Sequence, residues 1–149
     1  MSKMKVIKEN LRSHKKEAQD YESDKFEIYN DWEQNRIKSN LDRVEETLET
    51  NGSTKRALDV GCGTGNMLRK LSPRFDNVLG IDLSQEMLSR ASQKCAVGNG
   101  DGNGKMNLIR GQASDLPFPD DSFDVVTAYS VFHHLPNFAD PISEISRIL

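Results

Sequence analysis

Two carboxylates and a cluster of glycines carry the chemistry of this chain. In Leu58-Asp59-Val60-Gly61-Cys62-Gly63-Thr64-Gly65 an acid stands two residues ahead of a glycine turn, and a second acid, Asp82, closes Val78-Leu79-Gly80-Ile81-Asp82. Glycines let a backbone turn tightly and pass close to a ligand where a Cβ would collide. The helix that follows such a turn begins with N–H groups that favour an anionic group. A dinucleotide site wants Gly-x-Gly-x-x-Gly, and the sixth position here is Asn66. Asp59 also argues against a pyrophosphate, because like charges a few ångström apart in a partly dry site repel strongly. It suits a cationic amino group instead. An acid at a strand end such as Asp82 suits the two hydroxyls of a ribose. S-adenosylmethionine (SAM) meets these needs together: an α-amino group, a sulfonium, a carboxylate for the helix start, an adenosine, and no phosphate.

Methyl transfer from a sulfonium asks chiefly for alignment and water exclusion, and correct positioning alone is worth roughly 7–11 kcal/mol. A base is needed only where the acceptor must lose a proton. His133 and His134 are the candidates, each with a second reading as a structural residue bonded to loop backbone. Neighbours in extended chain point apart and no third ligand is near, so the pair does not read as a metal site. The two cysteines, Cys62 and Cys95, have neither zinc nor disulfide spacing. Cys62 reads as a small packing residue inside the glycine turn.

These residues must be held by alternating strands and helices. Strand one is expected at 56–60 and a helix at 64–71, ending before Pro73. Strand two is expected at 77–81, then a helix capped by Ser84 with Met87, Leu88 and Ala91 inward. A glycine-rich loop covers 96–105, and strand three follows at 106–110. Phe123–Tyr129 reads as strand four, with Tyr129 at the end where open parallel sheets bind ligands. A last helix is expected from an Asp140 N-cap and Pro141, with Ile142, Ile145 and Leu149 inward. Upstream, Ile37, Leu41, Val44 and Leu48 recur at helical spacing over 35–50, and Asn51-Gly52-Ser53 stops that helix. Tyr21, Phe26, Ile28, Tyr29 and Trp32 precede it, with Ile28 and Trp32 spaced to pack on the core.

Leu58 to Gly65, then Gly80-Ile81-Asp82-Leu83-Ser84, then Leu116-Pro117-Phe118-Pro119-Asp120-Asp121-Ser122-Phe123-Asp124-Val125-Val126, then His133-His134-Leu135 resemble, in order, the motifs of class I SAM-dependent methyltransferases. The nearest branch is the small-molecule group that includes the ubiquinone and menaquinone biosynthesis enzymes. The resemblance covers about residues 55–149. It implies an α/β, Rossmann-like core of strand order 3-2-1-4 under an N-terminal helical cap, in which Tyr29 or Trp32 could line the site. It implies that Asp59, Gly61, Cys62 and Gly63 meet the amino-acid end of SAM, and that Asp82 and Leu83 meet ribose and adenine. Gln112 and Ala113 would then meet the adenine edge, where many relatives have an acid, and the Tyr129 backbone the amino group. Asp115 reads as a turn residue. Relatives continue with a fifth strand, a helix and an antiparallel pair, so the expected core is truncated after the fourth strand and its helix. An open edge on strand four would call for a partner strand or an oligomer.

The totals set the outer bounds. With 149 residues, residues 1–52 are expected to form a basic tail and helical cap and 53–149 the cofactor-binding core. A net charge of -3 gives no general reason to bind nucleic acid, although Lys3, Lys5, Lys8, Arg12, Lys15 and Lys16 make the first residues basic. No apolar run reaches the roughly 18 residues of a membrane span, and the cytoplasm is the expected location. No Asn-Pro-Pro-Tyr, Asp-Pro-Pro-Tyr or Pro-Cys motif of DNA methyltransferases occurs, which favours a small-molecule acceptor. A non-catalytic or fragmentary SAM-binding module that needs a partner chain is the rival. An NAD-dependent oxidoreductase is disfavoured by Asp59 and Asn66.

Overall fold

The computed structural model describes residues 25–48, 53–98, 105–135 and 137–149, with positions 5, 8, 9 and 11–13 nearer the N-terminus. Tyr21, most of the basic tail, the Asn51-Gly52 helix stop, most of the glycine-rich loop and Pro136 lie outside the described residues. In chain order the elements are α1 (Phe26–Tyr29), α2 (Asp31–Thr47), β1 (Arg56–Val60), α3 (Asn66–Leu71), β2 (Asn77–Asp82), α4 (Gln85–Gly98), β3 (Lys105–Arg110), β4 (Val125–Thr127), a 3-10 turn (Phe132–His134) and α5 (Ala139–Ile148). The strands form one parallel sheet in the order β3-β2-β1-β4. This is the Rossmann-like α/β core expected, flanked by helices and preceded by a helical cap.

Side-chain alternation along the strands sorts the core into two layers. On one face Ala57, Val78 and Val125 pack with Met67, Leu68 and Leu71 of α3, Leu88, Ala91 and Cys95 of α4, and Ile37 and Leu41 of α2. On the other, Leu58, Val60 and Ile81 pack with Leu116 and with Ile148 of α5. The central strand β1 is buried along its last four residues, as a parallel strand covered on both faces must be. Gly80 keeps the first face flat: a Cβ there would stand 2.8 Å from Leu68 Cδ1 and 2.9 Å from Cys62 Sγ.

The cap helix α2 starts earlier than its apolar periodicity suggests. Asn30 is its N-cap and accepts from the Glu33 amide at 3.0 Å. Ile37 and Leu41 are buried, whereas Val44 is exposed. Trp32 does not pack on the core or line a site; it is 73% exposed, with Arg36 lying over its ring.

Two further expectations need correction. Strand four is three residues long rather than seven: among the described residues it is an edge strand that pairs only with β1, and Ser130 then turns away in a left-handed conformation (φ 55°). On α5, Asp140 is inside the first turn rather than the cap, and the Ala139 amide is met by Asn137 Oδ1 at 3.1 Å. Its buried side is Pro141 and Ile148 with Ile145 partly covered, so Ile142, at 56% exposed, and Leu149 face outward. Arg147 of the same helix reaches the carbonyls of Leu116 and Phe118 and the Asp120 carboxylate, and Glu144 accepts from the Leu116 amide at 2.7 Å. The 116–120 segment is thereby tied beneath the sheet.

Candidate functional site

Period-two alternation puts Asp59 on the same face as Ala57, the face covered by α2, α3 and the cap. In parallel register Asp59 stands beside Thr127 of β4, and the Thr127 hydroxyl donates to its Oδ1 at 2.7 Å. That is the only hydrogen bond to this carboxyl group among the described residues. Asp59 is 2% exposed, and burial, opposed by the Thr127 bond and aided by the negative charge of Asp82, lifts its pKa to about 7.

Gly61, Gly63 and Gly65 all take positive φ, at 70°, 50° and 90°. The reasons differ. A Cβ on Gly61 would lie 2.3 Å from Val131 Cγ2, so that glycine makes room for the protein's own chain rather than for a ligand. A Cβ on Gly63 would meet nothing within 4 Å, which leaves its backbone facing open space. The turn also satisfies its own amides: Gly61 and Cys62 donate to the Ile81 carbonyl, and Gly63 donates to Asp82 Oδ2 at 2.8 Å. Asp82 Oδ1 accepts from the Ser84 amide at 2.8 Å. Asp82 therefore locks the glycine turn to the start of α4, with lone pairs on both oxygens still unused. Ser84 in turn accepts from the Met87 amide at 3.3 Å.

A cavity of about 40 Å³ lies where these parts converge. Asp59, Gly61, Cys62, Gly63 and Thr64 form its floor, Asn66 and Met67 of α3 one side, Tyr129 and Ser130 the other, and Ile28 and Tyr29 the cap. The space is large enough for a few water molecules. Tyr29 shares a hydrogen bond with Thr64 at 3.1 Å, and Tyr129 donates to buried Glu33, which Arg36 also grips with two bonds of 2.7 and 2.6 Å. The Arg36 and Tyr129 bonds hold the Glu33 carboxyl down at about 2, and burial beside Glu33 pushes the Tyr129 phenol up to about 12. Lys70 to Gln34 and Arg74 to Asp42 add two more polar links between core and α2.

Of the residues singled out from sequence, Asp59, Gly61, Cys62, Gly63 and Tyr129 come together around this cavity, as does Tyr29. Asp82 joins them through its bond to Gly63. Leu83, Gln112 and Ala113 lie off the cavity, beyond the ends of β2 and β3. Leu83 offers its carbonyl to Arg110, and Gln112 is exposed and bridges to Asp115. His133 and His134 also stand off it. They sit in a 3-10 turn, not extended chain, so their rings do not point apart but lie 3.9 Å between centroids. Cys62 is buried, and desolvation together with Asp59 and Asp82 pushes its thiol well above the ordinary value, which suits packing rather than nucleophilic use. No group of three metal-ligating side chains occurs among the described residues.

The amino-acid pattern missed Thr64, Asn66, Met67, Thr127, Ser130 and Glu33. Thr127 was readable in principle, as the polar side chain in the apolar run from Val125 to Ala128. Glu33 carries only an Asn-x-x-Glu start signal, which says nothing of Tyr129 96 residues away.

Residues 58–149 match the family model of the methyltransferase domain. The chain belongs to the class I SAM-dependent methyltransferase family, type 11. A demethylmenaquinone methyltransferase of Geobacillus kaustophilus is 38% identical over 97 residues, covering 63% of this chain and 40% of that protein. YcgJ of Bacillus subtilis, an uncharacterized methyltransferase, is 35% identical over 97 residues, 63% of this chain and 36% of its own. The YcgJ crystal structure superposes with a TM-score of 0.62 at 31% identity, over 73% of this chain and 45% of that one. SpnF, a 4+2 cyclase, gives 0.58 at 32% identity, over 75% of this chain and 40% of its own. The chain thus spans about two fifths of the length of the curated relatives it matches. Among the described residues of this methyltransferase-family chain, no helix is long and apolar enough to cross a membrane.

Proposed function

We propose that this chain binds SAM and serves a methyltransferase that acts on a small-molecule acceptor by in-line displacement. The observation that carries the reading is the buried Asp59 carboxyl group in a cavity floored by the glycine turn. A carboxylate there finds its charge partner in an α-ammonium, and a phosphate would meet repulsion from both Asp59 and Asp82. The residues fit the group. Asp59 holds the ammonium, with the Tyr129 backbone beside it. The turn from Gly61 through Cys62 to Gly63 keeps the backbone close to the amino-acid chain. Asp82 takes the ribose hydroxyls, and Leu83, Gln112 and Ala113 border the adenine. When bound, SAM supplies a methyl group already activated by its sulfonium. The part of this chain is to orient it and, through Ile28 and Tyr29, to exclude water. No base is assigned to His133 or His134, since neither lines the cavity.

Calorimetric titration should show SAM binding in the micromolar range, and labelled SAM should transfer its methyl group into a metabolite extract. Heat without labelled product favours the second reading, a cofactor-binding module that works with a partner chain. One observation supports that reading: among the described residues β4 pairs only with β1, and a further strand could add on its other side. A family resemblance that reaches a cyclase as well as methyltransferases is a further reason to measure product and not binding alone.

A further inference from the structure

Asn66 directly follows the last glycine of the turn and opens α3. It is 7% exposed and lines the cavity with Asp59, Gly63 and Tyr129. The sense of its amide is set by Lys70, one helical turn on, whose Nζ donates to Oδ1 at 3.3 Å. An ammonium has only donors, so the amide oxygen faces Lys70 and Nδ2 faces away. Nδ2 is buried and has no acceptor among the described residues. A buried donor left unpaired is costly, and a position that keeps one inside a cavity is suited to a ligand acceptor.

Asp59 and Asn66 both line the cavity, so a buried acid and an amide with an unpaired donor stand at one site. That pair matches the two charges of an α-amino acid head, ammonium for Asp59 and carboxylate for Asn66. We propose that Asn66 Nδ2 is the side-chain donor to the carboxylate of the bound cofactor and so makes the site selective for ligands that carry it. Lys70 is a positioning residue: it fixes which way the amide points, and its charge on Oδ1 polarises the N–H bonds toward the carboxylate. Gln34 of the cap holds the same ammonium, so the orientation of the amide depends on the cap being seated. The inference rests on the SAM reading above.

The test is a ligand-by-variant cycle on the full chain, read by calorimetry with SAM and with decarboxylated SAM, which keeps the ammonium and lacks the carboxylate. Asn66→Ala should weaken SAM by about 10- to 100-fold, the range of a hydrogen bond to a charged group, and leave decarboxylated SAM nearly unchanged. Asn66→Ala also removes the acceptor of the Lys70 bond, so its stability is measured separately from its affinity. Asn66→Asp keeps a partner for Lys70 but puts a negative charge beside the ligand carboxylate. It should invert the preference toward decarboxylated SAM. Lys70→Met should give a smaller loss of the same kind. Equal effects on both ligands or an unchanged affinity for SAM would overturn the role of Asn66. Wild type that binds neither ligand would instead remove the SAM reading itself.

Discussion

Replacing Asp59 with asparagine should stabilise the free protein while destroying its affinity for SAM. Burial lifts the Asp59 pKa from 3.8 to about 7 in the fold. Below pH 4 both folded and unfolded chains carry the proton and the group costs nothing. Between pH 4 and 7 the unfolded chain releases it and the folded chain holds it, so stability falls by about 1.4 kcal/mol per pH unit. Above pH 7 both are ionised, and the accumulated penalty levels off at roughly 4 kcal/mol. Asparagine keeps an oxygen for Thr127 and carries no charge, so at pH 8 Asp59→Asn should be more stable than wild type by up to about 4 kcal/mol. Urea unfolding at pH 5, 6, 7 and 8 reads this directly, and the difference between the two proteins cancels the other titrating groups. Ligand binding should run the other way. An ammonium recruits the ionised form, so wild-type affinity for SAM should rise as pH climbs toward 7 and then flatten, while Asp59→Asn should bind at least about 100-fold more weakly at pH 8. A variant less stable than wild type at pH 8, or one with the wild-type pH slope, would refute the claim that this carboxylate is strained by burial. Undiminished SAM binding would refute its pairing with the ammonium.

Gly61→Ala should cost roughly 2–5 kcal/mol, from a left-handed backbone plus the clash with Val131, and Gly63→Ala only about 1 kcal/mol, from backbone alone. Urea midpoints that come out equal would contradict the packing role of Gly61, and adding Val131→Ala should recover part of its loss. Asp82→Ala strips two amides of their acceptor and should lower stability by roughly 2–4 kcal/mol while abolishing SAM binding. If it still binds SAM as wild type does, the ribose assignment falls. In an ultraviolet tyrosinate titration one of the three tyrosines should resist ionisation to about 12, and Glu33→Gln should bring that transition down. Tyr129→Phe should also speed hydrogen exchange across residues 28–37, and an unchanged rate would show that the cap does not depend on that bond.

The sheet was legible because its signals are local. β1 and β2 are short apolar runs stopped by glycine or acid, and each start and end falls within a residue of the pattern. Asp59, Gly61, Gly63 and Asp82 were legible for the same reason, since strand ends in a parallel sheet share one edge. The errors occur where a residue's fate depends on something distant. Periodicity made Ile142 and Leu149 inward, but the surface α5 covers is set by Leu116 and Phe123, and the helix is rotated so that Pro141, Ile145 and Ile148 face it. Trp32 was expected inward because it is large and apolar, yet α2 turns that position outward and buries a carboxylate, Glu33, one residue on.

That exchange has a physical reason which bears on the site. Asp59 can hold its proton up to about pH 7 only if water is kept away, and the cover comes from Ile28 and Tyr29. An apolar lid laid on an acid, a hydroxyl and a glycine turn would leave their polar groups unmatched. The cap instead meets the core through paired polar groups at its rim: Tyr29 with Thr64, Glu33 with Tyr129, Gln34 with Lys70, and Asp42 with Arg74. Three of these bonds involve a charged group, and each can be exchanged for a bond to water. A cover joined by polar bonds buries little apolar surface at its rim, whereas one sealed by Trp32 would bury a large one. The outward Trp32 and inward Glu33 that sequence periodicity misjudged thus belong to the polar rim that lets the cap cover Asp59 without orphaning the groups around it.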